Sequence, residues 1–272
     1  MKGLGDMVNE FIYSNPTWLW GTTVVLFFVV MSCLGLALFH SLVGVELRKA
    51  HNELAGFTVA IISVTYAVLL AFIAIATWQS YTSAEDIVQS EADFVGSIYR
   101  DTQGLPNEMG KNIRADLQDY VNIVIRREWP EQSAGETPTE GWEPLHKLHT
   151  AIATMHPTDA GEAVIEAELL KTLNELYRAR ASRLSAAAGH IPDVVWWIIL
   201  FGGAITTAYT YLFGFHSFGM HLVMTASVAA SLALVVVLIM ALDWPFRGTV
   251  SISSRAFLGT QQSWNELQLE KK

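Results

Sequence analysis

The chain has 272 residues, of which 51% are hydrophobic and only 16% charged, and its net charge is −9. Soluble domains carry roughly 25% charged residues, so this composition points away from an ordinary soluble protein, and the acidic balance argues against nucleic acid as a partner. A single cysteine, Cys33, excludes an intrachain disulfide, a redox pair and a cysteine-rich zinc site.

Ahead of the first apolar run, Leu4, Met7, Val8, Phe11 and Ile12 recur at helical spacing. This predicts a short amphipathic segment over residues 1–16, closed by Asn15-Pro16. Asp6 and Glu10, together with the length of the apolar run that follows, argue against a secretion signal. Long stretches without Asp, Glu, Lys or Arg then predict membrane helices over Trp18–His40, Ala55–Trp78, Val194–Phe215 and Met220–Leu242. Each supplies the roughly 20 apolar residues needed to cross a hydrocarbon core. Buried helices of a soluble protein are rarely free of charge on every face. The last two spans are joined by "GFHSFG" and read as a tight antiparallel hairpin.

The expected fold is therefore all-α: an integral membrane protein with four transmembrane helices and a helical domain inserted between helices 2 and 3. Residues 17–78 hold the first two spans, 79–193 the inserted domain, 194–242 the second pair and 243–272 a tail. The second span reads as continuing in helix until Gly104-Leu105-Pro106. The inserted domain carries three apolar stripes at helical period. They are Ile113, Leu117, Tyr120, Val121 and Val124; Leu145, Leu148, Ile152 and Met155; and Ile165, Leu169, Leu173, Leu176 and Leu184. "PEQSAGETPTEG" reads as a loop. Thr158 or Asp159 is the expected N-cap of the domain's last helix.

Four spans place the N-terminus, residues 79–193 and the C-terminus on one side. Lys2, Arg178, Arg180, Arg183, Arg247 and Arg255 lie there, against Arg48 and Lys49 on the other, so the first side is expected to be cytoplasmic. Trp18, Trp20, Trp78, Trp196, Trp197 and Trp244 fall at that same interface, where indole rings suit the headgroup layer. "DWPFRG" then reads as a membrane exit: Asp243 ends the apolar run, Pro245 discourages the helix, Phe246 sits at the boundary, and Arg247 and Gly248 follow.

No Asp, Glu, Lys or Arg lies inside a predicted span, which disfavours proton-coupled transport and favours a passive path or none. The second span carries a small-residue stripe of Gly56, Ala60, Ser63, Ala67, Ala71 and Ala74. Close helix packing explains it. The sharper reading is a pore lining, with Ser63 and Tyr66 as polar contacts and Ile62, Leu69 or Phe72 as an apolar constriction. Glu85, Asp86 and Glu91 follow the span and are candidates for a cytoplasmic vestibule; a solvated surface is the plainer reading. His146, His149 and His156 stand near Asp159 and Glu162, but their spacing matches no strong metal motif, and no metal or cofactor is expected. No phosphate-binding loop, dinucleotide fingerprint, nucleophile elbow or HExxH is present, so no catalytic residues are expected.

The run from Gly56 to Ala92, with "YAVLLAF" at its centre, resembles the bestrophin-like family of bacterial membrane proteins. Leu105-Pro106, "EWP" at Glu128–Pro130 and "LDWPFRG" add to the likeness, which extends from about Gly56 to Phe257. The family's "DxPFxG" is matched by Asp243, Pro245, Phe246 and Gly248. The resemblance implies distant similarity to bestrophins, which are pentameric anion channels with four spans per subunit and a helical cytosolic part between spans two and three. It implies a homo-oligomer in a bacterial inner membrane that passes small ions. Two departures stand out. "SISSRAFLGTQQSWNE" lacks the acidic calcium clasp that follows the last span in animal bestrophins, so calcium gating is not implied. The Phe and Ile ring of the bestrophin neck has no single counterpart here, so anion selectivity is not implied either. The leading expectation is an oligomeric ion channel lined by the second span. The alternative is a membrane-anchored sensor or scaffold whose acidic helical domain binds a protein partner.

Overall fold

Lipid offers the backbone no hydrogen-bonding partner, so a charge-free run that crosses it must close its bonds internally as helix. In the computed structural model, which describes residues 12–269, every regular element is helical. Four helices are long and apolar enough to cross a membrane: α1 (Thr17–Leu42), α3 (Asn52–Asp101), α8 (Asp193–Thr210) and α9 (Phe218–Leu242). A short α2 (Val45–Lys49) joins the first pair. The amphipathic segment expected near the N-terminus lies almost wholly outside the described residues.

Prolines set several starts. Pro16 precedes α1, Pro192 precedes α8 and Pro106 precedes α4 (Asn107–Ile123), each holding its own φ near the helical value while its neighbour enters the turn. The helix α3 runs 50 residues, about 75 Å at 1.5 Å per residue. It tightens into a 3₁₀ turn at Thr102–Gly104 and ends where Leu105 is extended before Pro106. The expected third span is longer than α8, which stops at Thr210. Tyr211 and Leu212 turn there, and Asn52 holds Gly214 on both its N–H (2.8 Å) and its C=O (3.1 Å).

The chain divides into two compact units. One comprises Met1–Ser80, His190–Trp244 and Gly248–Val250. In it α9 packs along α1, with Gly21 so close that an added Cβ would lie 3.0 Å from Val237. Its interior holds an apolar cluster in which Tyr66, Leu70, Ile199, Val236 and Ile239 are buried together.

The other unit comprises Tyr81–Gly189, Pro245–Arg247 and Ser251–Lys272. Besides the later part of α3 and α4, it holds α5 (Trp129–Ala134), α6 (Trp142–Ala153), α7 (Ala160–Ala188) and α10 (Arg255–Leu269). The predicted stripes face its core, with Ile113, Leu117, Tyr120, Leu145, Leu148, Leu169 and Leu173 fully buried. Asp159 caps α7, accepting from the Glu162 N–H at 2.8 Å while the Glu162 carboxylate accepts from the Thr158 N–H at 2.7 Å, a reciprocal capping box one position displaced.

The expected loop "PEQSAGETPTEG" is partly helix. Pro130 sits in the first turn of α5, and no strong breaker follows until Gly135 at φ +87, whose N–H closes onto Gln132. Just before it, Val124–Glu128 widens into π-helix, where the missing Pro130 N–H leaves one rung unfilled.

Candidate functional site

In the first unit, α3 shows two faces. Tyr66 is buried against α8, its hydroxyl donating to the Ile199 carbonyl at 2.5 Å. Its ring lies in a notch made by Gly202 and Gly203. Turning through roughly half a helical circle from Tyr66 gives Val64, Val68 and Phe72, all exposed, and Phe72 at 69%. Phe57, Ile61 and Ile75 extend that stripe. The candidate pore residues therefore do not share one face. Phe72 and Leu69 are exposed, Ile62 and Ser63 are half-buried, and Tyr66 points into its own unit.

At the other end of this unit, Arg48 is buried. Its Nη1 donates to the carbonyls of Tyr211 (3.2 Å) and Phe213 (3.4 Å), and its Nη2 lies 2.6 Å from His40 Nδ1. A cation on the carbonyls at and just past the C-cap of α8 suits the negative end of that helix. The sequence shows Arg48 only as a loop base; its carbonyl partners lie over 160 residues away.

The second unit hides a feature that composition does not signal. Glu91, Glu128, Arg180 and Arg183 are all fully buried. Arg180 clasps Glu128 with two bonds of 2.5 and 2.6 Å. Arg183 reaches Glu91 with Nε (2.6 Å) and Nη2 (3.1 Å), Glu128 with Nη2 (2.9 Å) and Gln132 with Nη1 (2.5 Å). Tyr120 donates to Glu91, and the Gly141 N–H donates to Glu128 at 2.9 Å. Two acids and two bases balance. Burial pushes the Glu128 carboxyl up, but the hydrogen bonds and charges of Arg180 and Arg183 outweigh it and hold the group below its ordinary value. Burial, with Glu91 alongside, pushes the Tyr120 phenol well above its ordinary range.

This network corrects two readings of the sequence. Arg180 and Arg183, counted above among bases beside a membrane, neutralise interior acids. Glu91 is one of those acids, whereas Glu85 and Asp86 are exposed, so the three vestibule candidates do not form one surface.

The "DWPFRG" residues divide between the units. In the first, Asp243 accepts from the Ile191 N–H at 2.7 Å, and burial raises its carboxyl above the ordinary value against the pull of that bond. Gly248 there adopts φ +78, a left-handed conformation suited to glycine. In the second, Phe246 is buried edge-on to Trp129 at 5.9 Å, Pro245 accepts from the Ile252 N–H at 2.8 Å, and the Arg247 guanidinium packs over Gly135. His146 and His149 stand edge-on to Tyr177 rather than converging on a common point. Among the described residues no group of three His, Cys, Asp or Glu is placed to hold a metal ion.

Residues 26–257 match the Bestrophin-like domain. Among solved structures, a bacterial bestrophin homolog from Klebsiella pneumoniae, phased on zinc, is 14% identical with a TM-score of 0.63; the alignment covers 88% of this chain and 97% of that one. Two point variants of the Klebsiella homolog, each 12% identical, give TM-scores of 0.67 and 0.65 over 87% and 90% of this chain and 97% and 95% of theirs. No curated protein matches the sequence.

Proposed function

The chain belongs to the Bestrophin-like family, and from that premise we propose that it is an ion channel, assembled from several copies and conducting passively along an axis lined by α3. The observation that carries this reading is the outward face of α3. It offers Val64, Val68 and Phe72 in consecutive turns, with no ionisable side chain among them, while the opposite face is anchored by Tyr66. Tyr66, Leu70, Ile199, Val236 and Ile239 pack together as an apolar cluster behind that face. In this reading the hydrated path runs between copies rather than through one, which calls for closed symmetry about an axis; the family likeness implies five. Apolar rings on such an axis gate by excluding water.

In this reading the termini and the unit built on Tyr81–Gly189 lie in the cytoplasm of a bacterial inner membrane, and the exposed Glu85 and Asp86 face the ions there. The ion is unassigned.

Purified protein reconstituted in planar bilayers should pass current. Phe72→Ala, which thins the proposed constriction, should raise it severalfold, whereas Leu26→Ala on the exposed face of α1 should leave it unchanged. Intact oligomers that stay silent across many salts and voltages, or equal currents from wild type and Phe72→Ala, would refute the proposal.

A further inference from the structure

A cavity of about 770 Å³ opens in the first unit between α1, α8 and α9, within the range typical of small-molecule sites. It is distinct from the exposed face of α3. Its floor is apolar, with Phe27, Phe28, Leu200 and Val236. Toward the start of α8 and the end of α9 its lining is different, and that part serves as its mouth. Trp196, Trp244 and the more deeply buried Trp20 line it there with Asp193 and Asp243. Trp244 is held by stacking on His190 at 5.1 Å and by the edge of Tyr13 at 6.4 Å.

We propose that this cavity binds a cationic amphiphile from the bilayer, one ammonium head on one aliphatic chain. The head sits among the indoles, whose faces attract cations, and beside the two carboxylates. The chain lies along the phenylalanine floor. Charge complementarity selects this occupant. An anionic head would meet two acids, and Asp193 in the first turn of α8 already offsets the positive end of that helix, so the helix start offers no anion site. A purely apolar ligand makes no use of the two carboxylates. Asp243 is held in place at the mouth, because the Ile191 N–H fixes one oxygen and the Trp196 side chain also bonds the carboxylate.

The test uses the full chain in uncharged dodecyl maltoside micelles and radiolabelled dodecyltrimethylammonium, with partition into empty micelles subtracted. One saturable site per chain is expected, with dodecyl sulfate unable to displace the label. Asp193→Asn combined with Asp243→Asn should weaken binding at least tenfold. Asparagine keeps an oxygen for the Ile191 N–H, so the local fold is retained, and Asp193→Asn alone serves if the pair fails to fold. Leu200→Trp, which fills the floor, should abolish the site. Non-saturable uptake, equal displacement by dodecyl sulfate, or unchanged affinity in the asparagine and tryptophan variants overturns the proposal. Complete blockage by added phosphatidylethanolamine also overturns it, by assigning the cavity to a resident lipid. None of these outcomes depends on whether the protein conducts.

Discussion

Replacing Arg183 with alanine is expected to cost about 3–5 kcal/mol, a large fraction of the roughly 5–15 kcal/mol that holds a domain folded. The side chain is fully buried, and its loss strips Glu91 of the one arginine, and Glu128 of one of the two, that bond them among the described residues. A buried carboxylate left without a counter-charge is the expensive half of a broken pair; the pair itself contributes much less. The same logic predicts a rescue: Arg183→Met together with Glu91→Gln should recover most of the loss, because no uncompensated charge then remains. Arg183→Lys should recover little, since one ammonium cannot reproduce the fork that reaches Glu91, Glu128 and Gln132. Thermal unfolding by circular dichroism, with size exclusion in detergent, reads all three. A single Arg183→Ala variant within about 1 kcal/mol of wild type would contradict the account. The pH dependence has a definite sign. Glu128 has its folded pKa depressed, so its contribution is present above the unfolded carboxylate value of about 4.3 and fades as pH falls through the lower, folded one. The unit should hold at neutral pH and open in acid.

The second large effect is expected at Gly202. A Cβ there would strike the Tyr66 ring at Cε2, and also Cδ2 at 2.5 Å, so even alanine forces the ring to move. Gly202→Val should cost about 3 kcal/mol from overpacking and release the hydroxyl bond to Ile199. The functional consequence follows from geometry. Tyr66 fixes the rotation of α3 about its own axis, and so fixes where Val64, Val68 and Phe72 point. A chain carrying Gly202→Val that still assembles should show reduced or erratic current, and Tyr66→Phe, which keeps the ring but loses the hydroxyl, should fall between it and wild type. Wild-type stability and current for Gly202→Val would mean that the notch does not orient α3.

Legibility in the sequence follows the range of the interactions. The four long apolar helices are readable because lipid imposes a local rule, absence of charge over about 20 residues, and Thr17–Leu42 and Phe218–Leu242 obey it plainly. The stripe Ile113, Leu117, Tyr120 and Val121 is readable for the same reason, since helical period is local. Arg183 is not. Its partner Glu91 lies 92 residues earlier, and nothing about an Arg in "RARASRL" distinguishes a buried cation from a surface one. Tyr66 misleads differently. As a hydroxyl on a small-residue stripe it reads as suited to a wet path, but the Gly202-Gly203 notch that receives it belongs to another helix. Of the three constriction candidates, Phe72 and Leu69 are exposed and Ile62 is half-buried, and Phe72 is the more exposed of the two.

The balanced quartet also dictates a schedule for biosynthesis. Glu91 and Glu128 leave the ribosome well before their partners, with Arg180 arriving 52 residues after Glu128 and Arg183 arriving 92 after Glu91. Phe246, Phe257 and Trp264, which finish the same core, are translated later still, after the hairpin of α8 and α9. A nascent chain halted before Arg180 must therefore display two unneutralised acids and an open apolar surface to chaperones and proteases. Resistance to digestion should appear abruptly, once translation has passed Trp264, rather than grow with length.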